Sequence, residues 1–291
     1  MLAAQLILNG LMAGAVLAVP AIGFSAVYAV LRFPNFAVGG MATLGAYMGL
    51  AANTGWGWPL WAALLAAATG AGVLGVALDE VALRRLRPRS GQAGGALMAA
   101  IGSVALTIVL ENVARFIWGN DLLSYDLPLA RDWELAAGLR LGPQQALDAA
   151  IAAAVMATLF AGLRFSRVGK MMRAVADNPA LADLKGIDPA LTARLATAVG
   201  MGLAGLGGML VGLDTGIDPL TGFRVMLSVF AAAVVGGLGS IPGAVLGAML
   251  VGVGEELSLL VFDPAYRTAV GFAAILLVLS VRPAGLLGDR N

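Results

Sequence analysis

The 291-residue sequence contains no cysteine and no histidine. That excludes disulfides, thiol nucleophiles, Ser-His-Asp triads, iron–sulfur clusters and the usual zinc and haem ligand sets. We therefore expect no catalytic residue, no metal ligand and no cofactor bound by this chain. Charge is also scarce: Asp, Glu, Lys and Arg make up 12% of the chain and the formal net charge is +1, which gives no basic field for nucleic acid. Apolar residues take up the difference, at 60% of the chain with a mean hydropathy of +0.90. A soluble fold has too little polar surface at this composition to cover its core, so most of the chain must face lipid or other apolar helices. The expected class is an all-α polytopic membrane helical bundle, a single domain over 1–291.

A bilayer crossing takes roughly 20 apolar residues. Apolar segments near 5–31, 37–52, 59–78, 96–118, 143–163, 190–213, 224–240, 243–262 and 268–282 meet that description. The second and seventh are short and glycine-rich, a form that broken or re-entrant helices take, so either eight or nine spans fit. The first segment lacks the basic start and small-residue cleavage pattern of a signal peptide and reads as the first span. Orientation follows from Lys and Arg, which accumulate on the cytoplasmic side. With the N-terminus outside, that side receives Arg32, Arg84, Arg85, Arg87, Arg89, Arg164, Arg167, Lys170, Arg173, Lys185, Arg194, Arg282 and Arg290, leaving Arg115, Arg131, Arg140, Arg224 and Arg267 opposite. N-terminus outside and C-terminus inside is the expected topology.

Two polar connections are long. The outer one, 119–142, has Asp121, Asp126, Asp132 and Glu134 and suits a short strand or lid. The inner one, 164–189, is basic, and Met172, Val175, Leu181 and Leu184 recur at near-helical spacing within it, as in a short amphipathic helix at the membrane face. Asn178-Pro179 should interrupt that helix and Gly186 should end it. The Gly162–Lys170 stretch is not a phosphate-binding loop, because six residues separate its glycines and Met171 follows the lysine. If ATP drives this protein, another subunit hydrolyses it.

Glycines recur four apart at Gly10 and Gly14, Gly45 and Gly49, Gly208 and Gly212, and through Gly239, Gly243 and Gly247. Such spacing favours close helix packing within the subunit over a dimer seam or a pore lining. Ionisable residues inside apolar segments are costly and invite a functional hypothesis: Glu111, Arg115, Asp148, Glu255 and Glu256. Their positions toward span ends, and the i,i+4 pairing of Glu111 with Arg115, favour structural or interfacial roles. Asn9 and the break Arg32-Phe33-Pro34-Asn35-Phe36 bring amides and interrupted backbone next to the membrane, where transporters hold polar solutes; a plain turn is the competing reading.

At these residues the sequence resembles a known family. LNGLMAGAVLAVPAIGFSAVYAV followed by LRFPNFAVGGMATLGAYMG is similar to the start of the branched-chain amino-acid ABC transporter permeases of the LivH type. SRVGKMMRAVADNPALADLKGID resembles their cytoplasmic coupling segment, VVGGLGSIPGAVLGAMLVG their penultimate region and VRPAGLLG their C-terminal end, so the likeness covers nearly the whole chain. The resemblance implies a permease subunit in the bacterial inner membrane. Its implied partners are a homologous second permease subunit, two ATPase subunits, a periplasmic substrate-binding protein and membrane lipid, with no nucleic acid; its cargo is a small polar solute. It places ATPase coupling on Arg167, Gly169, Lys170, Met172, Arg173, Val175, Ala176, Asn178, Gly186 and Ile187, with Met172, Val175 and Ala176 as the apolar contacts. One departure is Val38, where many members have histidine; the solute is then a branched-chain amino acid, urea, an amide or another small metabolite. The expected solute path passes Asn9, Asn35, Gly39, Gly40 and Glu111 or Asn112. The alternative is an ion- or proton-coupled secondary carrier, which would need a buried ionisable relay in mid-membrane.

Overall fold

The computed structural model describes residues 2–86, 94–126, 132–134, 138–263, 266–282 and 284–288. Arg87, Arg89, Arg131 and Arg290 of the charge argument lie outside the described residues. Among the described residues the chain is all-α apart from one small hairpin. Its helices are α1 (Leu2–Leu31), α2 (Ala37–Leu50, extended by a π-turn over Ala51–Gly55), α3 (Leu60–Leu78, extended by a π-turn over Asp79–Leu83), α4 (Gly95–Trp118), α5 (Pro143–Phe165), α6 (Arg167–Asp177), α7 (Pro179–Leu184), α8 (Pro189–Thr215), α9 (Thr221–Gly236), α10 (Ile241–Ser258) and α11 (Arg267–Val281). Nine of these coincide with the nine apolar segments. Six, namely α1, α3 with its π-turn, α4, α5, α8 and α10, are long and apolar enough to cross a membrane, whereas α9 and α11 are shorter.

Two of the short apolar helices, α2 and α9, are largely buried. In α2 every residue except Met48 is buried, and α9 is buried from Ala231 through Gly236. By contrast α4, α5 and α11 keep large apolar side chains on the surface, Phe116 at 91% and Leu276 at 70% exposure among them. This is the arrangement expected where the outer faces meet lipid and the inner faces meet protein.

Alpha-helix α8 runs through the centre against α1, α2 and α3. Small residues make those crossings. A Cβ added to Gly45 of α2 would collide with the backbone of Gly205, one on Gly208 with the carbonyl of Ala42, and one on Gly23 would stand 2.5 Å from the Gly200 oxygen. Gly10 and Gly14 of α1 meet the backbone of α10 in the same way, at Val253 and Met249. The four-residue glycine spacing is thus intrasubunit packing wherever these pairs occur.

In the interruption between α1 and α2, protein groups bond the main chain of Phe36 and Ala37, while the buried Asn35 Nδ2 has no partner. Arg32 adopts a left-handed φ of +58° and donates to the carbonyl of Ala176. Asn35 Oδ1 accepts from the Ala37 amide at 3.1 Å; Ser103 Oγ accepts from the Phe36 amide at 2.9 Å, and Thr107 Oγ1 donates to the Phe36 carbonyl at 2.8 Å. With these bonds made, α2 begins inside the bundle rather than at its surface.

The 119–142 connection contains an antiparallel hairpin of β1 (Trp133–Glu134) and β2 (Arg140–Leu141), with Trp133 opposite Leu141. Gln5 at the start of α1 holds it: the side-chain amide donates to the Arg140 carbonyl at 2.7 Å and accepts from the Arg140 amide at 2.9 Å. A second tie joins Leu123 to Ile217 through paired backbone hydrogen bonds of 2.9 and 2.8 Å. Both draw the connection over the end of the bundle that also holds the chain's N-terminus.

Candidate solute cavity and inner docking face

At that end, α1, α5, α8, α9, α10 and α11 part to leave a cavity of about 550 Å³. One wall is apolar: Met12, Ala13 and Val16 of α1, Leu210 and Val211 of α8, and Val225 of α9. The rest is charged and polar, with Asp148, Asp214, Glu255 and Glu256 against Arg224 and Arg267. A second cavity of about 520 Å³ shares Asn9, Gln145 and Asp214 with the first and reaches the hairpin through Gln5, Asp132 and Arg140. The two cavities adjoin at these shared residues. A volume of several hundred Å³ with apolar walls and a few placed polar groups is the usual form of a small-molecule site.

The charged groups differ in how well they are matched. Arg267 pairs with Glu256 and lies 3.9 Å from Glu255, whose other oxygen accepts from Ser228 Oγ at 2.7 Å. Arg224 pairs with Asp218 at 2.6 Å. Asp218 sits in the connection before α9; burial raises its pKa, but Arg224, the Thr221 hydroxyl and the Leu220 amide more than offset this and hold it below the usual carboxylate range. Asp148 is different. It is 1% exposed, its Oδ1 accepts from Gln144 at 2.9 Å, and its Oδ2 is buried with no partner.

Of the residues expected along the solute path, Asn9 lines both cavities and accepts from Gln5 at 2.9 Å. Asn35, Gly39, Gly40, Glu111 and Asn112 lie outside the lining. Gly39 and Gly40 pack against Met226 and Leu110, Glu111 is buried on α4, and Asn112 faces outward and donates to the Ile108 carbonyl. Asp148, Glu255 and Glu256, for which structural roles were favoured, all line the cavity, together with Asp214, Arg224 and Arg267. Their cost as ionisable residues in apolar segments was the signal that pointed to them.

At the opposite end, the 164–189 connection folds as two helices. Ser166 caps α6 through the Gly169 amide at 3.1 Å, and Asn178 caps α7 through the Leu181 amide at 3.0 Å, so Asn178-Pro179 is the break between them. Gly186, at φ +81°, follows the end of α7 in the left-handed conformation that glycine adopts at low cost. Met172 and Val175 are buried, at 5% and 3% exposure, and Met172 packs with Ala26 and Ala196. Ala176 and Ile187 are half-buried, and Gly169 is buried. Arg167, Lys170, Arg173, Asn178 and Gly186 are exposed. So are two leucines of α7, Leu181 at 53% and Leu184 at 84%.

Residues 6–280 match the family model described as branched-chain amino acid transport system / permease component. The chain is 31% identical over 304 residues to the high-affinity branched-chain amino acid transport system permease protein LivH of Escherichia coli K12, covering 98% of this chain and 95% of that one. It is 31% identical over 297 residues to the corresponding permease protein BraD of Pseudomonas aeruginosa, with the same coverage. Among solved structures, PsaBC from Streptococcus pneumoniae in complex with Fab aligns over 95% of this chain and 91% of that chain at 13% identity, with a TM-score of 0.48.

Proposed function

The chain belongs to the family of branched-chain amino acid transport permease components, and from that premise we propose that it is the membrane subunit of an ATP-binding-cassette importer. It crosses the bacterial inner membrane eight or nine times with the N-terminus outside, and carries a branched-chain amino acid or a related small polar solute inward. The observation that carries this reading is the cavity. An amino acid presents an ammonium, a carboxylate and an aliphatic side chain, and the cavity offers carboxylates, guanidiniums and an aliphatic wall within one enclosure. Such a site binds its cargo without chemistry.

In this reading the cavity faces the periplasm, where a binding protein delivers the solute past the hairpin. Toward the opposite end, Glu80 of the α3 π-turn pairs at 2.5 Å with both Arg84 and Arg194 and so ties α3 to α8. Two ATPase subunits, one beneath this chain and one beneath a homologous second permease, press on the inner connection and reverse which end is open. Because Met172 and Val175 are committed to the chain's own core, the apolar contact to the ATPase falls on Leu181 and Leu184 of α7, with Arg167, Lys170 and Arg173 around it.

Uptake of labelled leucine, isoleucine and valine by cells lacking and then regaining this chain tests the reading. We expect uptake to depend on the chain, on its ATPase and on ATP. Uphill accumulation by the chain alone in vesicles, driven by an ion gradient, would overturn it in favour of a secondary carrier.

A further inference from the structure

We infer that Asp148, with Asp214 and Gln145 beside it, is the ammonium seat of the cavity, so that the solute is gripped by its cationic nitrogen. The inference rests on the cavity being the solute site and names how that site chooses its cargo. Four carboxylates line the enclosure against two guanidiniums, and both guanidiniums are spoken for: Arg267 by Glu256 and Arg224 by Asp218. Gln145, Asp214 and Arg267 line the same cavity. Asp148 feels the charge of Asp214 and has Gln144 on one oxygen, while its buried Oδ2 has nothing.

A carboxylate oxygen held out of water without a partner is expensive, and inside a membrane more so. The missing partner must be a donor, and for a carboxylate the strongest donor is a cation. A metal ion is a poor match, because hard cations gather six or more oxygens and no group of three or more Asp or Glu residues among the described residues is placed to hold one. A primary ammonium needs only a few acceptors on one side of a compact head. The acceptors here are the carboxylates of Asp148 and Asp214 and the side chain of Asn9, all three residues lining the cavity, with Asp148 Oδ2 itself closed off from solvent. The aliphatic stretch of Met12, Val16 and Val211 belongs to the same enclosure and suits the rest of a branched solute.

The full chain in nanodiscs, titrated calorimetrically with three probes, tests this without any variant. Leucine and isoamylamine, which keeps the ammonium and lacks the carboxylate, should bind; isocaproate, which keeps the carboxylate and lacks the ammonium, should bind at least about ten-fold more weakly than isoamylamine, the scale of one charge-assisted contact. Asp148→Asn should weaken leucine and isoamylamine by about ten-fold or more, and Asp214→Asn should do so in the same direction should the first variant fail to fold. Isocaproate binding as well as isoamylamine, or an unchanged affinity in folded Asp148→Asn, would overturn the assignment by showing that a proton rather than the cargo satisfies that oxygen. So would binding that follows sodium when choline replaces it. Loss of leucine uptake on deletion of the chain alongside undiminished binding by Asp148→Asn refutes the ammonium seat and leaves the importer standing, whereas amine binding without any amino acid uptake does the reverse.

Discussion

Replacing Leu181 and Leu184 together with serine separates the surface proposed to meet an ATPase from the surface that holds the inner helices in place. These side chains are 53% and 84% exposed, so in the isolated subunit their loss removes little packing, and the change in stability should stay within about 0.5 kcal/mol. Full burial of a leucine stabilises by roughly 1.5–3 kcal/mol. Covering the exposed parts of both under an ATPase groove is therefore worth about 2–4 kcal/mol, or roughly 30- to 1,000-fold in Kd. The assay is association of the detergent-solubilised chain with its ATPase, followed in parallel with the melting of the chain alone. Met172→Ala is the complement: at 5% exposure it should cost about 2–5 kcal/mol of stability and act on the ATPase only through that loss. The reasoning is refuted if the serine pair binds the ATPase as tightly as the unaltered chain. It is equally refuted if Met172→Ala abolishes association while the melting temperature stands still.

Two further outcomes test the bundle itself. Gly45→Ala forces a methyl into the backbone of Gly205 and should destabilise the chain by about 1–3 kcal/mol or more, seen as a lowered melting temperature, whereas Gly55→Ala, with nothing near its Cβ position, should leave that temperature unchanged. The pKa of Asp218 is lower in the folded chain than in the unfolded one, so its contribution to stability is fully present above the ordinary aspartate value of about 4 and is lost as pH falls through the lowered value. Melting between neutral pH and pH of about 3 should therefore fall less steeply in Asp218→Asn than in the unaltered chain; parallel curves would remove Asp218 from the account.

Most of the fold was legible because its signals are local. Nine apolar runs correspond to nine helices, Asn178-Pro179 divides α6 from α7, and Gly186 stands just beyond the second. Boundaries shifted where a cap overrode hydropathy: α10 begins at Ile241 because Ser240 caps it through the Gly243 amide, and α9 begins at Thr221, in a turn closed by Asp218 and Thr221. The cavity was harder to read. It assembles residues as far apart as Asn9, Asp148 and Arg267, whose proximity depends on how α1, α5 and α11 pack. The broken backbone at 32–36 lies outside the cavity lining; Ser103 and Thr107, 67 and 71 residues from Phe36 in sequence, hold the Phe36 main chain there. Spacing placed Met172 and Val175 on one helical face but left undecided which way that face turned; in this chain both are buried, Met172 against Ala26 and Ala196.

The glycine crossings along α8 constrain how this molecule can change shape. Where main chain lies on main chain, as at Gly45 with Gly205 and Gly208 with Ala42, there is no side chain between the rods that could swing to a second rotamer and let them separate gradually. The central rods α1, α2, α3 and α8 therefore travel together as a keel, and any hinge falls to the thinly attached periphery. Alpha-helix α5 is the clearest instance: it touches α1 and only lightly α8, it presents Asp148 near one end, and it runs directly into α6 at the other. Alpha-helix α5 thus joins the inner connection to the acidic side of the cavity in one continuous rod, beside the contacts that α6 also makes with α1 and α8.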